Sequence, residues 1–349
     1  MPRKFTAHMA ADRPDNRTGV RPSLLGTQPI GEVSEVASGV FQLKVPVPVP
    51  LGFVSAYLIS GPDGWTLLDT GFDYPEGRAA WETGAESLGL DLRCDVGRIS
   101  VSHFHPDHLG AARWLQGLSG APVYLLEQEI EHSRLVWEDD EGGSSLINGL
   151  RLNGMPRDLA LEAGSKMRAD LKLPEKMLPL GPGEEVPLGN STARVVHAPG
   201  HADYQYMLHD AERGILFAAD HVLLKITPNI GLWPESLPHP LDRYLKSLSG
   251  MRPMNAGLVL PGHGPVFHDL EGRIDELLLH HEERLDVMHA EIQDGPRTPF
   301  EVSGAVFRET LTLYERCFAL AETLAHLDHL VLQDRAERVE GEVVRFQST

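Results

Sequence analysis

The sequence predicts an α/β protein in which two packed β-sheets lie between layers of helices. Short apolar strand patterns occur in two blocks, one before residue 128 and one after residue 177, and helical patterns are interleaved with them. Histidine and aspartate residues follow the ends of strands in both blocks, where α/β proteins commonly carry their functional groups. Two strand blocks with interleaved helices favour two sheets packed between helical layers.

The first strand block begins near residue 31. Apolar and β-branched runs predict strands at 33–36, 40–45, 53–59 and 65–69, with a hairpin turn at 61–64. Proline alternates through residues 45–50, which predicts an edge or polyproline segment there. The block continues with a helix at 76–88, a strand at 96–101, a helix from about residue 110 and a strand at 123–125.

Residues from about 128 to 177 interrupt the strand pattern. They are rich in Glu, Leu, Arg and Ala and are broken by glycine-containing segments at 142–145 and 153–154. This composition predicts helices inserted over the strand framework. Such an insertion could cover a substrate or only extend the packing, and the sequence favours neither alternative.

The second strand block precedes a change in composition after residue 264. The predicted strands lie at 185–188, 192–197, 206–209, 214–219 and 257–260, and a helix is predicted at 241–249. Helices at 270–289, 298–307 and 317–332 and a hairpin at 336–346 follow. Three helices and a terminal hairpin resemble a winged helix, so we expect a winged-helix-like C-terminal region at 269–349. Residues 1–30 are polar, and we expect them to form a flexible leader.

The composition limits the partners of this protein. Of its 349 residues, 42% are hydrophobic and 23% are charged, which is typical of a globular protein. The 31 basic and 50 acidic residues give a formal charge of −19, which disfavours nucleic acid and anionic membrane surfaces as partners. The presence of only two cysteines, Cys94 and Cys317, predicts a reducing compartment. We expect a cytoplasmic protein with no membrane anchor and a small-molecule substrate, and the sequence is compatible with a homodimer.

A dense group of potential metal ligands lies at residues 102–108, which read Ser-His-Phe-His-Pro-Asp-His. His103 and His105 are two positions apart, so both side chains leave the same face of an extended segment and can hold one metal ion. The proline that follows turns the chain. Asp107 and His108 then point elsewhere, which suits a second metal ion.

Three later residues of ligand type also follow strands. His201 ends an Ala-Pro-Gly-His segment, and His263 lies in Leu-Pro-Gly-His-Gly, so each imidazole is presented from a tight turn. Asp220 ends an apolar strand. An ionised carboxylate at such a position is costly unless a cation compensates it.

With these motifs in this order, residues 33–268 resemble the metallo-β-lactamase-fold hydrolase superfamily. The fifth matching motif is the Leu-Asp-Thr-Gly segment that contains Asp69. The resemblance implies an αββα sandwich, the metallo-β-lactamase fold, with a two-metal site at the edge between the sheets. By matching position, the metal ligands are His103, His105 and His201 for the first ion, Asp107, His108 and His263 for the second, and Asp220 for both. Asp69 matches an acidic residue that supports the ligands without binding metal itself.

The resemblance also implies a domain division and a branch. Residues 31–268 would form the catalytic domain, with the helical insertion at about 128–177. The C-terminal part most resembles the branch of β-lactamase-like protein 2, through the Leu-Pro-Gly-His-Gly segment, a helix with His281 and Arg284, and the winged-helix-like tail.

Five imidazoles and two carboxylates predict two divalent transition-metal ions, Zn²⁺ first, with Fe or Mn as alternatives. Two ions ~3.5–4 Å apart can share a hydroxide, formed from a bound water whose pKa is lowered to ~7. Asp107 would be the catalytic residue that ligates or orients this nucleophile and accepts its proton. We therefore expect a binuclear metal-dependent hydrolase that directs a metal-bridging hydroxide at a small acyl ester, thioester or lactone.

Two other functions stay open. A phosphodiesterase or ribonuclease is favoured by the branch, in which some members act as ribonucleases, but residues 271–349 contain 17 acidic and 8 basic residues, which argues against RNA binding. The second alternative is a non-enzymatic, metal-stapled regulator or binding protein, that is, one in which the metal ions only stabilise the fold. Asp220 stands where zinc β-lactamases carry cysteine, which argues against antibiotic hydrolysis. The sequence identifies no substrate-binding residue, although the apolar segment 221–233, with Lys225, could wall a pocket or cover the core.

Overall fold

The computed structural model describes residues 28–49, 51–138, 142–167, 171–308 and 310–349. The flexible leader predicted at 1–30 lies outside the described residues except for its last three. No described helix combines the length and the apolar character that crossing a membrane requires.

The first sheet has seven strands that lie side by side in chain order. They are β1 (Val33–Ala37), β2 (Val40–Pro46), β3 (Phe53–Ile59), β4 (Trp65–Leu68), β5 (Val96–Ser100), β6 (Val123–Leu126) and β7 (Met177–Leu180). Strands β1 to β4 are antiparallel, and β4 to β7 are parallel. The sequence did not predict β7, because its four residues include Pro179 and form a strand only by pairing with β6.

The second sheet has five strands in the order β12-β11-β10-β9-β8. They are β8 (Glu185–Leu188), β9 (Ser191–His197), β10 (Tyr206–Asp210), β11 (Ile215–Ala219) and β12 (Leu258–Pro261). Pairing is antiparallel except between β11 and β12, which are parallel. All five strands lie where the sequence predicted them, within one or two residues.

Apolar side chains from both sheets form the layer between them. Tyr57, Ile59 and Leu68 from the first sheet pack with Leu208 and Phe217 from the second, and all are buried. The rings of Tyr57 and Phe217 meet edge to face with centroids 5.5 Å apart. Burial of this layer holds the two sheets face to face and brings the ends of their strands to a common edge.

Helices cover the outer face of the first sheet. The helices in this half are α1 (Pro75–Ser87), α2 (Pro106–Leu109), α3 (Ala112–Ser119) and α4 (Glu127–Trp137). Trp81, Leu115 and Ile130 pack from α1, α3 and α4 onto the sheet. The helix predicted from about residue 110 is α3, and the short helix α2 precedes it, beginning at Pro106 because proline is well suited to the first helical position.

The helical insertion packs against the C-terminal region. Its later helices are α5 (Gly142–Leu152) and α6 (Arg157–Lys166), which follow α4. The C-terminal half then has α7 (Pro240–Gly250), α8 (Leu270–Glu291), α9 (Pro299–Val306) and α10 (Leu313–Leu332). Leu150 and Ala160 of the insertion contact Cys317 and Leu320 of α10. Helix α4 of the insertion lies over the first sheet, whereas the apolar side chains of α5 and α6 pack against α10.

The helices α7 to α10 cover the outer face of the second sheet, where Tyr244, Leu277 and Leu327 join its buried side chains. The order of layers is helix, sheet, sheet, helix, so the predicted αββα fold is confirmed. A hairpin of β13 (Ala336–Val339) and β14 (Arg345–Ser348) follows α10. Helix α10 begins four residues before its predicted start because Thr312 and Glu315 form a capping box. The winged-helix comparison and the domain boundaries stay predictions.

Candidate metal centre

Histidine and aspartate side chains from five strand ends meet at one edge of the sandwich. Asp69 follows β4, the segment 102–108 follows β5, His201 follows β9, Asp220 follows β11 and His263 follows β12. The structure brings together all seven predicted metal ligands and Asp69. These strands can reach a common edge because the buried layer between the sheets aligns their ends.

The first group of ligand atoms belongs to His103, His105 and His201. His105 Nδ1 lies 2.9 Å from His103 Nε2 and 3.0 Å from His201 Nε2. Nitrogens at these separations suit one shared ion, because bonds from zinc to imidazole nitrogen are ~2.0–2.1 Å long. Three imidazoles from two distant segments therefore form one potential ion site.

The second group belongs to Asp107, His108 and His263, whose ligand atoms lie within 4.8 Å of one another. His263 Nε2 is 3.2 Å from Asp107 Oδ2, and His108 Nε2 is 4.0 Å from the same oxygen. This group mixes imidazole and carboxylate, a donor set that zinc, iron and manganese accept.

Asp220 lies between the two groups. Its Oδ2 is 3.5 Å from His201 Nε2 in the first group, and 3.5 Å from His108 Nε2 and 3.3 Å from His263 Nε2 in the second. One carboxylate within reach of nitrogens from both groups can bridge two ions.

Three buried polar atoms of this cluster support a metal-binding interpretation. His108 Nε2, His263 Nε2 and Asp220 Oδ1 have no hydrogen bond of acceptable geometry among the described residues. Buried polar atoms in folded proteins are nearly always paired, so unpaired atoms on three residues of one ligand cluster fit a bound ion. The residues present therefore form a histidine and aspartate cluster that can hold metal.

Opposing charges set the pKa values inside the cluster. Burial lowers the pKa of His105 to about 3. Burial acts in the same direction on His263, but the carboxylates of Asp220 and Asp107 outweigh it and raise the pKa of His263 to about 10. Burial disfavours the charged form of Asp107, yet the nearby His108 and His263 hold its pKa below the usual range. The buried carboxylates thus require positive charge close by, which divalent ions would supply.

The outward nitrogens of three ligand histidines each have a partner. His108 Nδ1 lies 2.9 Å from Asp69 Oδ2, His263 Nδ1 lies 2.8 Å from the Phe53 carbonyl oxygen and His201 Nδ1 lies 2.9 Å from the Asn229 carbonyl oxygen. Because each acceptor receives a hydrogen bond from Nδ1–H, the proton is held on Nδ1 and the lone pair of Nε2 faces the cluster.

The backbone near the ligand cluster is closely packed at Gly262 and strained at Asp69 and Ala219. A Cβ at Gly262 would overlap Asp220 Oδ1 and lie 2.9 Å from His108 Cε1, so only glycine fits there. Asp69 and Ala219 have positive φ angles of 59° and 45°. Non-glycine residues in this region are strained, and such strain is concentrated at functional sites.

Sequence reasoning missed several residues around the cluster. The Glu129 carboxylate accepts a hydrogen bond of 2.6 Å from the Phe104 backbone N–H, between two ligand histidines, and burial raises the pKa of Glu129 to about 8. Asn229 and Glu322 are also buried near His201. None of them lies in a local motif, although Asn229 belongs to the segment 221–233 that was considered as a pocket wall. Lys225 of that segment is exposed.

Aromatic side chains of α10 and the segment after β11 pack together. The rings of Trp233 and Phe318 are 5.3 Å apart, and those of Phe318 and Tyr314 are 4.7 Å apart. Burial of the Tyr314 hydroxyl and the negative charge of Asp107 raise the pKa of Tyr314. These three aromatic side chains form one group, and the charge of the ligand Asp107 acts on one of them, Tyr314.

Comparison with known proteins assigns the fold and its site to a family. The profile of the Metallo-beta-lactamase superfamily matches residues 49–263, and the profile of the Metallo-beta-lactamase-like, C-terminal domain matches residues 285–349. The chain belongs to the metallo-beta-lactamase superfamily, as the motifs predicted. It is similar to a solved metallo-beta-lactamase family protein from Thermus thermophilus, with a TM-score of 0.81 and 32% identity, covering 90% of this chain and 100% of the other.

Three curated relatives extend this comparison. Probable metallo-hydrolase YqjP of Bacillus subtilis is 22% identical, covering 88% of this chain and 98% of the relative. The Beta-lactamase-like protein 2 homolog of Caenorhabditis elegans is 22% identical over 75% of this chain and 73% of its own length, in agreement with the predicted branch. Atrochrysone carboxyl ACP thioesterase dmxR1 of Cryptosporiopsis sp. is 23% identical over 70% of this chain and 60% of its own length.

Proposed function

We propose that this chain is a binuclear metal-dependent hydrolase that acts on a small acyl ester, thioester or lactone. The position of Asp220 carries the proposal, since its Oδ2 lies 3.3–3.5 Å from imidazole nitrogens of both ligand groups. Two bound ions, Zn²⁺ first and Fe or Mn as alternatives, would supply a water-derived nucleophile at neutral pH and polarise the substrate oxygen.

Asp107 is proposed as the residue that moves the proton. Its side chain is 15% exposed, against 7% for Asp220 and 4% for Asp69, so it is the carboxylate of the site most open to an incoming substrate. His108 and His263 hold the pKa of Asp107 below its usual range, and bound divalent cations would favour the ionised carboxylate in the same way. An ionised oxygen at this place can orient the attacking group and accept its proton.

Three features support an acyl substrate. The aromatic side chains of Trp233, Phe318 and Tyr314 form an apolar surface, and the charge of Asp107 acts on Tyr314. The formal charge of −19 disfavours a long polyanion. One curated relative is named a thioesterase, and another is named a probable metallo-hydrolase.

A phosphodiesterase or ribonuclease is the second candidate function. It is favoured by the likeness of the chain to the Beta-lactamase-like protein 2 homolog, because two-metal centres also catalyse phosphodiester cleavage. The excess of acidic residues in the C-terminal region argues against it.

One experiment separates these functions. The protein loaded with Zn²⁺ is assayed against a panel of acyl thioesters, esters and lactones and against single-stranded RNA. We expect turnover of at least one acyl substrate, none of RNA, and about two ions per chain by elemental analysis. Turnover of RNA alone would establish the second candidate, and an intact two-metal protein without any hydrolysis would favour the metal-stapled regulator.

A matched pair of variants tests the ligand assignment in the same assay. The double variant His103→Ala/His105→Ala should lose both metal and turnover, because it removes two of the three imidazoles of the first group. His268→Ala removes an exposed histidine outside the cluster and should retain both. Unchanged metal content in the double variant would overturn the assignment.

A further inference from the structure

The ligand His201 is oriented by a residue that is itself held by the C-terminal helices. His201 Nδ1 donates to the Asn229 carbonyl oxygen at 2.9 Å. This bond directs His201 Nε2 toward the cluster, where it lies 3.0 Å from His105 Nδ1. The tautomer and the ring orientation of His201 therefore depend on where the backbone of Asn229 lies.

Asn229 is attached to α10 through its side chain. Its Nδ2 donates to Glu322 Oε2 at 3.1 Å and to the Phe318 carbonyl oxygen at 3.5 Å. Three residues later, the Leu232 backbone N–H donates to the Ala321 carbonyl oxygen at 3.0 Å. Because Asn229 is only 6% exposed, few water molecules can replace these bonds if α10 is disturbed.

Glu322 is in turn paired with a cation from a second C-terminal helix. Arg284 Nη1 of α8 lies 3.1 Å from Glu322 Oε1, and the two side chains are 3% and 6% exposed. The guanidinium also lies 4.7 Å from the ring centroid of Phe307. Each carboxylate oxygen of Glu322 thus has a different partner, one on α8 and the other on Asn229.

A buried ion pair of this kind is weak evidence for a role in stability. Removing two charges from water costs several kcal/mol per ion, and replacing such a pair by apolar residues of similar volume is often neutral or stabilising. The side-chain amide of Asn229 needs a hydrogen-bond acceptor at position 322. An apolar pair in place of Glu322 and Arg284 would not provide one. The contact with Asn229 is therefore the feature of the pair that bears on the metal centre.

We propose that Glu322 and Arg284 are positioning residues of the metal centre, which act through Asn229 on His201. The C-terminal helices would then complete the ion site formed by His103, His105 and His201 rather than only pack against the catalytic domain. This inference rests on the proposed metal-binding function of that site. Removal of a residue that hydrogen-bonds to a ligating histidine typically weakens metal affinity ~10–100-fold.

Four variants test this relationship. Asn229→Ala removes the amide and leaves both C-terminal helices intact. Arg284→Met/Glu322→Leu removes the ion pair without leaving a buried charge. Glu322→Gln keeps an acceptor for Asn229. Leu327→Ala, a fully buried core residue on the same helix, is the control for destabilisation alone.

Three measurements are made on each variant, starting from the metal-free protein. The affinity for Zn²⁺ is measured by competition with a chromophoric chelator, and the geometry of the site is read from the absorption spectrum of bound Co²⁺. Unfolding in urea gives the stability of each variant. We expect Asn229→Ala and the double variant to bind at least one Zn²⁺ ion ~10–100-fold more weakly, with a changed Co²⁺ spectrum.

The remaining two variants show whether metal affinity falls because His201 loses its orientation or because the protein is destabilised. Glu322→Gln should stay within about threefold of the wild-type affinity although Arg284 loses its counter-charge, because the Asn229 amide keeps its acceptor. Leu327→Ala should lose stability and keep the wild-type affinity and spectrum. Wild-type affinity in both Asn229→Ala and the double variant, or equal loss of affinity in Leu327→Ala, would overturn the proposal.

The results also separate this proposal from the proposed function. A wild-type protein that binds no Zn²⁺ would overturn both. A wild-type protein that binds Zn²⁺ but hydrolyses no substrate overturns only the function, since the affinities of the variants still decide the positioning role. Wild-type turnover with unchanged affinities in all four variants overturns only the positioning role.

Discussion

Asp69 Oδ2 lies 2.9 Å from His108 Nδ1, on the side of the imidazole ring that faces away from the ligand cluster. The same carboxylate accepts hydrogen bonds from the backbone N–H of Ser102 at 2.7 Å and from its hydroxyl at 2.9 Å. Asp69 therefore links the end of β4 to the segment that carries four of the predicted ligands. This contact explains how an acidic residue can support the site without binding an ion.

Substitution of Asp69 tests this support. Asp69→Asn can keep an acceptor for the Ser102 backbone, but it removes the charge that favours the proton on His108 Nδ1. We expect ~10–100-fold weaker binding of at least one Zn²⁺ ion, measured by chelator competition. Asp63→Asn, at an exposed hairpin turn, serves as the control and should bind like the wild type. Equal affinities of the two variants would show that Asp69 has no such role.

Gly262 tests the close approach of backbone and ligands. Gly262→Ala places a methyl group against Asp220 Oδ1 and 2.9 Å from His108 Cε1, so the two ligands must move apart. We expect a folded protein that retains fewer ions per chain by elemental analysis and has lost most of its activity. Gly117→Ala in α3, where a Cβ meets no atom within 4 Å, should retain its metal and gain ~0.5–1 kcal/mol of stability. Full metal content in Gly262→Ala would contradict the steric argument.

Tyr314 tests the proposed apolar contact surface. The side chain is 44% exposed and packs on Phe318. Tyr314→Ala should raise KM for an acyl substrate by about tenfold, the equivalent of ~1.4 kcal/mol, with a smaller change in kcat. Leu332→Ala removes a side chain of the same helix that is 45% exposed and should leave KM unchanged. A fall in kcat alone would instead assign Tyr314 to the chemical step.

Two stacked histidines predict how stability depends on pH. His281 Nδ1 and His326 Nε2 are 3.1 Å apart in the C-terminal core, and burial lowers the pKa of His326 to about 3. Because the unfolded state protonates below a pKa of ~6.5 and the folded state does not, stability is fully present above that pH and falls as the pH drops toward 3. For His326 the loss between pH 7 and pH 5 is about 2 kcal/mol.

Urea unfolding of the metal-free protein measures this loss. His326→Gln removes the titrating group and should lose about 2 kcal/mol less than the wild type between pH 7 and pH 5. Any contribution of the ligand histidines is common to both proteins and cancels in the comparison. Identical losses in the two proteins would contradict the assignment of the pH dependence to His326.

Much of the framework could be predicted because it depends on local patterns. Strands such as β3 and β11 have apolar runs, and the start of α10 is marked by the capping residues Thr312 and Glu315. Strand β7 could not be predicted, because Pro179 weakens its pattern and its pairing with β6 joins residues about fifty positions apart. The packing of the insertion on α10 escaped prediction for the same reason.

The sequence by itself determined which ligand types exist and that they follow strand ends. The spacing of His103 to His108, and the turn residues before His201 and His263, are local properties that a short segment expresses wherever it folds. Only the tertiary structure decided which residues orient those ligands. Asn229 and Glu322 are 93 positions apart, and their hydrogen bond exists because α10 packs beside the segment after β11. Contacts of this kind depend on the arrangement of whole sheets and helices, which no local pattern specifies.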